Sequence, residues 1–153
     1  MKEIIIDDLN EQSPYENHYK RMTNYYETDQ MGIVHHSNYV RYFECGRMAM
    51  LEQVGLPMHK IEEMGIMMPI IAVECRYKWP AKLGDKLRIV SFFDELPRVK
   101  FTVKSEVYNQ DGKLLCEGSV TMGFISTETR RPIRCPQTLI DIFDQGFSAD
   151  DIN

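Results

Sequence analysis

The sequence predicts an α+β domain in which an antiparallel sheet wraps around one long helix. Three observations carry this reading. The segment Asn38 to Val54 repeats its apolar positions at steps of three and four, later segments alternate apolar with polar residues, and the connections between them are short and rich in turn residues. Only one apolar helical stripe is available to cover a sheet face, so the sheet has to curl around it.

A chain of 153 residues is long enough for one core. Residues 1–17 read as a loosely attached leader, 18–145 as a single domain and 146–153 as a tail. Tyr19 to Tyr26, rich in Tyr and Thr, is expected to be a strand. In the long helix, Tyr39, Tyr42, Phe43, Gly46, Met50 and Val54 share the buried face. Ser37 or Asn38 can cap its first N–H groups, and Gly55 can end it in the left-handed conformation. Gly46 in mid-helix costs up to about 1 kcal/mol against Ala, which points to close packing on another backbone. Pro57 to Met64 reads as a second short helix, with Pro at its first position and Gly65 just past its end.

The period then changes to two. Ile71, Val73, Cys75, Tyr77 and Trp79 alternate with polar or small residues; Leu87 and Ile89 continue the pattern. So do Val99, Phe101, Val103 and Val107, and then Cys116, Val120, Met122 and Phe124. Such alternation marks half-buried strands. The connections at 80–85, 94–98 and 109–112 are short enough to make successive strands antiparallel neighbours. Gln137–Phe143 is expected to be a short amphipathic helix. A sheet of this kind keeps an open edge or a second apolar face, so self-association as a homodimer or homotetramer is expected.

Bulk properties exclude several classes. A net charge of −5 argues against broad attraction to nucleic acid or an anionic membrane. No stretch approaches the apolar length of a transmembrane helix, and the N-terminal apolar run is too short for a signal peptide. Cys45, Cys75, Cys116 and Cys135 are widely spaced, with no C-x-x-C pair, and are expected to be reduced and structural. The expected compartment is the cytoplasm. The ten methionines read as core filler.

The informative segment is Tyr25-Tyr-Glu-Thr-Asp-Gln-Met-Gly-Ile-Val-His-His-Ser-Asn-Tyr39. It joins a strand end to a helix start. A helix N-terminus presents unpaired N–H groups and partial positive charge, which favour an anion. Asp29 lies one loop away, and Gly32 lets the backbone turn where a side chain would block close approach. A carboxylate beside preorganised donors is what thioester hydrolysis needs. On chemistry alone the alternatives stay open. Asp29 could simply cap a turn, and His35 and His36 could be exposed imidazoles. Adjacent histidines point in different directions with no third ligand nearby, so no metal site is expected. A triad through Ser37 lacks the G-x-S-x-G elbow.

The run from Tyr26 through Glu44 resembles the signature of the 4-hydroxybenzoyl-CoA thioesterase family, nearest the acyl-CoA thioesterase branch found beside the Tol-Pal system. Asp29 falls on that family's catalytic aspartate, His36 on its characteristic histidine, Asn38 and Tyr39 on the pair that opens its central helix, and Tyr25 on a tyrosine four residues before the aspartate. Tyr77-Lys-Trp-Pro-Ala-Lys-Leu-Gly-Asp85 is similar to its post-helix strand and turn. Met31 and His35 depart from the pattern and leave substrate choice open.

The resemblance implies a hotdog fold with its site at a dimer interface. It also implies acyl-CoA hydrolysis by Asp29 as base or nucleophile, with His36 positioning or transferring a proton. Oxyanion binding and positioning would fall to Tyr25, Gly32, Ser37, Asn38 and Tyr39, with N–H groups near His36 and Ser37 as donors. No cofactor is expected, since coenzyme A is part of the substrate; acyl carrier protein could replace it. Phosphates of CoA call for cations, and Arg98, Lys100, Arg130, Arg131 and Arg134 are the candidates, against a merely solvated basic face. Two other readings compete: a hydratase or dehydratase on the same fold, for which Glu44 would be the helix acid although it reads as structural, and a non-catalytic acyl-CoA-binding protein.

Overall fold

Helix α1 (Asn38–Gln53) lies in the hollow of a five-stranded antiparallel sheet, and most of the core forms between the two. The computed structural model describes residues 16–152, with side chains over 17–146. Most of the expected leader, residues 1–15, lies outside this range. The strands are β1 (Glu16–Met22), β3 (Ile70–Tyr77), β4 (Lys86–Phe92), β5 (Phe101–Tyr108) and β6 (Leu114–Met122), in the order β1-β4-β5-β6-β3. Two short strands, β2 (Ile66–Met67) and β7 (Ile125–Ser126), form a separate ladder that no periodicity could announce. Helix α2 spans Met58–Glu63 and helix α3 spans Gln137–Ile152. This is the α+β hotdog arrangement.

The long helix forms as its spacing predicts. Tyr42, Phe43 and Met50 are fully or almost fully buried, each stabilising the fold by about 1.5–3 kcal/mol. Gly46 is a close approach: a Cβ there would stand 2.5 Å from Ser91 Oγ and 2.7 Å from Ile89 Cγ2, on β4. The small residue lets the helix sit down on the sheet. Gly55 takes φ +78° just past the helix end, as expected.

Several elements differ from the sequence expectation. The strand predicted over Tyr19–Tyr26 stops at Met22, and Tyr25–Glu27 forms a 3-10 turn. Asn24 N–H donates to Glu27 Oε1 at 2.9 Å and Glu27 N–H returns to the Asn24 carbonyl, which closes the turn. Pro57 stands just before α2 rather than in its first turn. Helix α3 continues past Phe143 into the residues read as a tail. Gly146 does not break it, because that glycine faces Val54, whose Cγ1 would lie 2.6 Å from an added Cβ.

The largest difference is in topology. β3 and β4 are consecutive but not neighbours: β3 pairs with β6 and forms an edge. The 78–85 connection instead crosses the open end of the curled sheet and packs on the loop before α1. Val34 N–H donates to the Ala81 carbonyl at 2.8 Å, and Leu83 N–H donates to the Gly32 carbonyl at 3.1 Å. Because β3 is an edge, its apolar positions are exposed instead of half-buried: Ile71 is 53% and Val73 42% accessible.

Candidate active site

The 28–37 loop is built by its own backbone. Asp29 N–H donates to the Ile33 carbonyl at 2.8 Å, and Gly32 N–H returns to the Asp29 carbonyl at 3.1 Å. Gly32 holds φ +77°, which an L side chain adopts only with strain. Nothing lies within 4 Å of a Cβ added there, so the turn, not close approach, explains this glycine. Asp29 is exposed; its Oδ1 accepts the Met31 N–H at 2.7 Å, and its second oxygen has no partner among the described residues.

The mouth of α1 is held by side chains that are not the expected caps. Ser37 has helical backbone angles and its hydroxyl caps nothing. His35 does this work: its Nδ1 lies 3.2 Å from the Ser37 N–H and 2.9 Å from Ser37 Oγ. The Ser37 amide is therefore occupied within its own loop. Asn38 also points outward from the helix, its Nδ2 donating to the Glu27 carbonyl at 3.0 Å and the His35 carbonyl at 3.4 Å. The His36 N–H, between these tied peptides, has no acceptor among the described residues.

Asp29, His35, His36 and Tyr39 border one groove of about 420 Å³ with Tyr77 and Trp79 on its other wall. The rings interlock: His36 and Tyr39 each meet Tyr77 edge-on, at 6.2 and 5.4 Å between centroids. Lys113 Nζ sits 3.3 Å over the Trp79 ring. Tyr39 is buried with its hydroxyl accepting the Ala81 N–H at 3.1 Å, and burial raises its pKa. The loop, the helix mouth and the 78–85 crossover are thus knit together around the groove. Such a place can receive a carbonyl group between a free carboxylate oxygen and a free amide.

The structure brings Asp29, His36 and Tyr39 to the groove, with Gly32, Ser37 and Asn38 behind it. It does not bring Tyr25, which is 79% exposed on the 3-10 turn and does not line the groove. Nor does it bring the five cations there within one chain. Arg98 and Lys100 precede β5, and Arg130 and Arg131 follow β7, with Arg134 beside Cys135, whose N–H donates to the Arg98 carbonyl at 2.7 Å. This cluster stands at the Ile70 end of β3, whereas the groove lies at the Tyr77 end, seven residues or about 23 Å along the strand.

Two features escaped the sequence reading. Tyr77 and Trp79 read as strand residues, yet they form a groove wall. Glu27 is 3% exposed and bound by Arg21 Nη2 at 2.6 Å and the Tyr42 hydroxyl at 2.9 Å. Burial works against the Arg21 charge, but Glu27, Tyr42 and Cys45 together outweigh it and the pKa rises. The Asn24-x-x-Glu27 spacing of a capping box was the available signal. Among the described residues, no three His, Cys, Asp or Glu side chains are grouped to hold a metal, and no helix is long and apolar enough to cross a membrane.

Residues 24–143 match the thioesterase-like superfamily. The chain belongs to that superfamily. A protein of Aquifex aeolicus (strain VF5) with a provisional esterase name is 40% identical over 93 residues, 61% of this chain and 73% of that protein. The acyl-CoA thioesterase YbgC of Helicobacter pylori (strain J99) is 31% identical over 135 residues, 82% of this chain and 96% of its own. Among solved structures, the DHNA-CoA thioesterase of Staphylococcus aureus superposes with a TM-score of 0.77 at 26% identity, covering 90% of this chain and 91% of its own. These likenesses agree with the hotdog architecture.

Proposed function

We propose that the protein is an acyl-CoA thioester hydrolase, releasing a carboxylic acid and coenzyme A. The observation that carries this is that one groove holds an Asp29 oxygen and the His36 amide, both without a partner among the described residues. The thioester carbonyl oxygen would accept the His36 N–H, where developing charge gains about 2.7–4 kcal/mol from a well-placed donor. Asp29 then takes a proton from attacking water, or itself attacks the carbonyl carbon to give an anhydride that water opens. Either way the C–S bond breaks and the thiolate leaves with its electron pair. A thiolate is a good leaving group, so no strong general acid is required, and no resident cofactor enters. His36 contributes its amide and positions the acyl group with Tyr39. The names of the relatives support this chemistry. Within the superfamily we propose the 4-hydroxybenzoyl-CoA type, on the side of the Tol-Pal-associated branch, and action in the cytoplasm; the Asp29 to Tyr39 run supports the first of these.

The site is complete only in a homodimer. Among the described residues the outer edge of β3 is unpaired, and Ile71, Val73 and Tyr77 stand exposed along it. A two-fold axis across this edge would pair β3 antiparallel with its copy, setting the Tyr77 end of one beside the Ile70 end of the other. Gly123 N–H donates to the Pro69 carbonyl at 2.9 Å, so the segment leading to Arg130 and Arg131 is fixed at that Ile70 end. The pairing would carry Arg130 and Arg131 of the partner subunit toward the groove, with Arg98, Lys100 and Arg134 of the partner subunit behind them, to meet the CoA phosphates.

Thiol release from short, long and aromatic acyl-CoAs tests the assignment. The expected result is turnover of at least one class by a species of dimer mass or larger. Binding without thiol release would favour the non-catalytic reading, and addition of water across an enoyl substrate would favour the hydratase reading. A protein that runs as a monomer at micromolar concentration while fully active would overturn the composite site.

A further inference from the structure

We infer that Tyr77, on the edge strand β3, is a positioning residue that holds the His36 amide where the thioester oxyanion forms. The inference rests on the thioesterase reading of the groove and adds a residue to it. The Tyr77 hydroxyl donates to the His36 carbonyl at 3.1 Å, a contact between residues 41 apart in sequence. That bond is the tie between the sheet and this carbonyl; the carbonyl's other contact, from the Tyr39 N–H, is long at 3.4 Å. The preceding carbonyl, on His35, is held by the Asn38 N–H at 3.0 Å and by Asn38 Nδ2. The His36 N–H shares its peptide plane with the His35 carbonyl, which Asn38 holds, and the His36 carbonyl, in the next plane across the Cα, is held by Tyr77, so the two ties together fix the backbone about His36 and the direction of its free N–H.

A donor helps catalysis when its direction is fixed before charge develops, because no reorganisation is then needed in the transition state. His36 lies outside the α1 hydrogen-bond ladder, so its orientation depends on these outside ties. Tyr77 offers a rigid one. Its strand is registered on β6 opposite Cys116, and the next two N–H groups, of Lys78 and Trp79, both donate to the Leu115 carbonyl. The ring packs edge-on against His36 and Tyr39, which limits its swing. A phenol ionises only near pH 10, so this hydroxyl keeps its proton and can donate at neutral pH.

The test is Tyr77→Phe, which keeps the ring and removes the donor. Thiol release should show kcat lowered roughly tenfold, a part of the 10²–10³ that loss of a whole oxyanion donor costs. KM should stay within about twofold, because the ground-state carbonyl depends little on that amide. Melting temperature and dimer mass should match wild type. A second measurement covers the case in which the variant folds poorly: difluorotyrosine installed at position 77 alone, whose phenol ionises at lower pH. There kcat should fall as that phenol ionises, since a phenolate cannot donate, while the wild type shows no such limb. Wild-type kcat in Tyr77→Phe, a loss confined to KM, or an unmoved pH profile in the fluorinated protein would each overturn the inference. A wild-type protein that releases no thiol would instead bring down the thioesterase reading and this inference with it.

Discussion

Glu27 is buried, with Arg21 on one oxygen at 2.6 Å and Tyr42 and the Asn24 N–H on the other at 2.9 Å each. Asp29, two residues later, is exposed at a groove, with one oxygen on the Met31 N–H and the other without a partner among the described residues. The residue types are nearly the same, yet their possible roles diverge. A carboxylate buried against a cation and two further donors is tied into the fold and out of a substrate's reach. A carboxylate held by one backbone bond is oriented and still available. Their placement follows from the backbone: Glu27 closes a 3-10 turn that faces the core, while the chain reverses around Gly32 and turns Asp29 to the surface.

The comparison makes opposite predictions for the two acids. Glu27→Ala leaves the Arg21 guanidinium mostly buried without its counterion and should cost about 3–5 kcal/mol of stability in urea unfolding. A loss under 1 kcal/mol would show that Glu27 is not the anchor of the turn. Tyr42→Phe keeps the ring under Arg21 but removes one donor to Glu27, and should cost about 1.5–3 kcal/mol. The smallest effect is alkaline. Burial, and then the Glu27 carboxylate, holds the Tyr42 phenol well above its ordinary value near 10. The folded chain keeps a proton there that the unfolded chain releases, so this contribution is full below about pH 10 and is lost as pH rises further. Unfolding measured between about pH 9 and pH 11 should show a shallower decline in Tyr42→Phe than in wild type; parallel declines would remove Tyr42 from the account.

Much of the fold was legible because its signals are local. The α1 stripe placed the helix within one residue, and Gly46 announced a close approach, which the side chains of Ser91 and Ile89 make instead of the backbone expected. Alternation fixed which residues of each strand share a face, but it carries no record of which strand lies beside which. That is why β3 read as a neighbour of β4 when it pairs with β6. In the site, Asp29, His36 and Tyr39 were readable because type, spacing and strand-loop-helix context coincide over a few residues. Tyr77 was not, since its part depends on a contact to the His36 carbonyl far away in sequence. The basic residues were found as a group, but only the register of β3 on β6 reveals that they sit at the far end of the strand from the groove.

The most direct measurement is steady-state thiol release by Asp29→Asn, alongside its melting temperature. The side chain keeps its shape and its Met31 contact but can neither take a proton nor attack a carbonyl. The account predicts kcat lowered by about 10²–10⁴ with stability essentially unchanged. Near-normal turnover in a folded Asp29→Asn protein would contradict it.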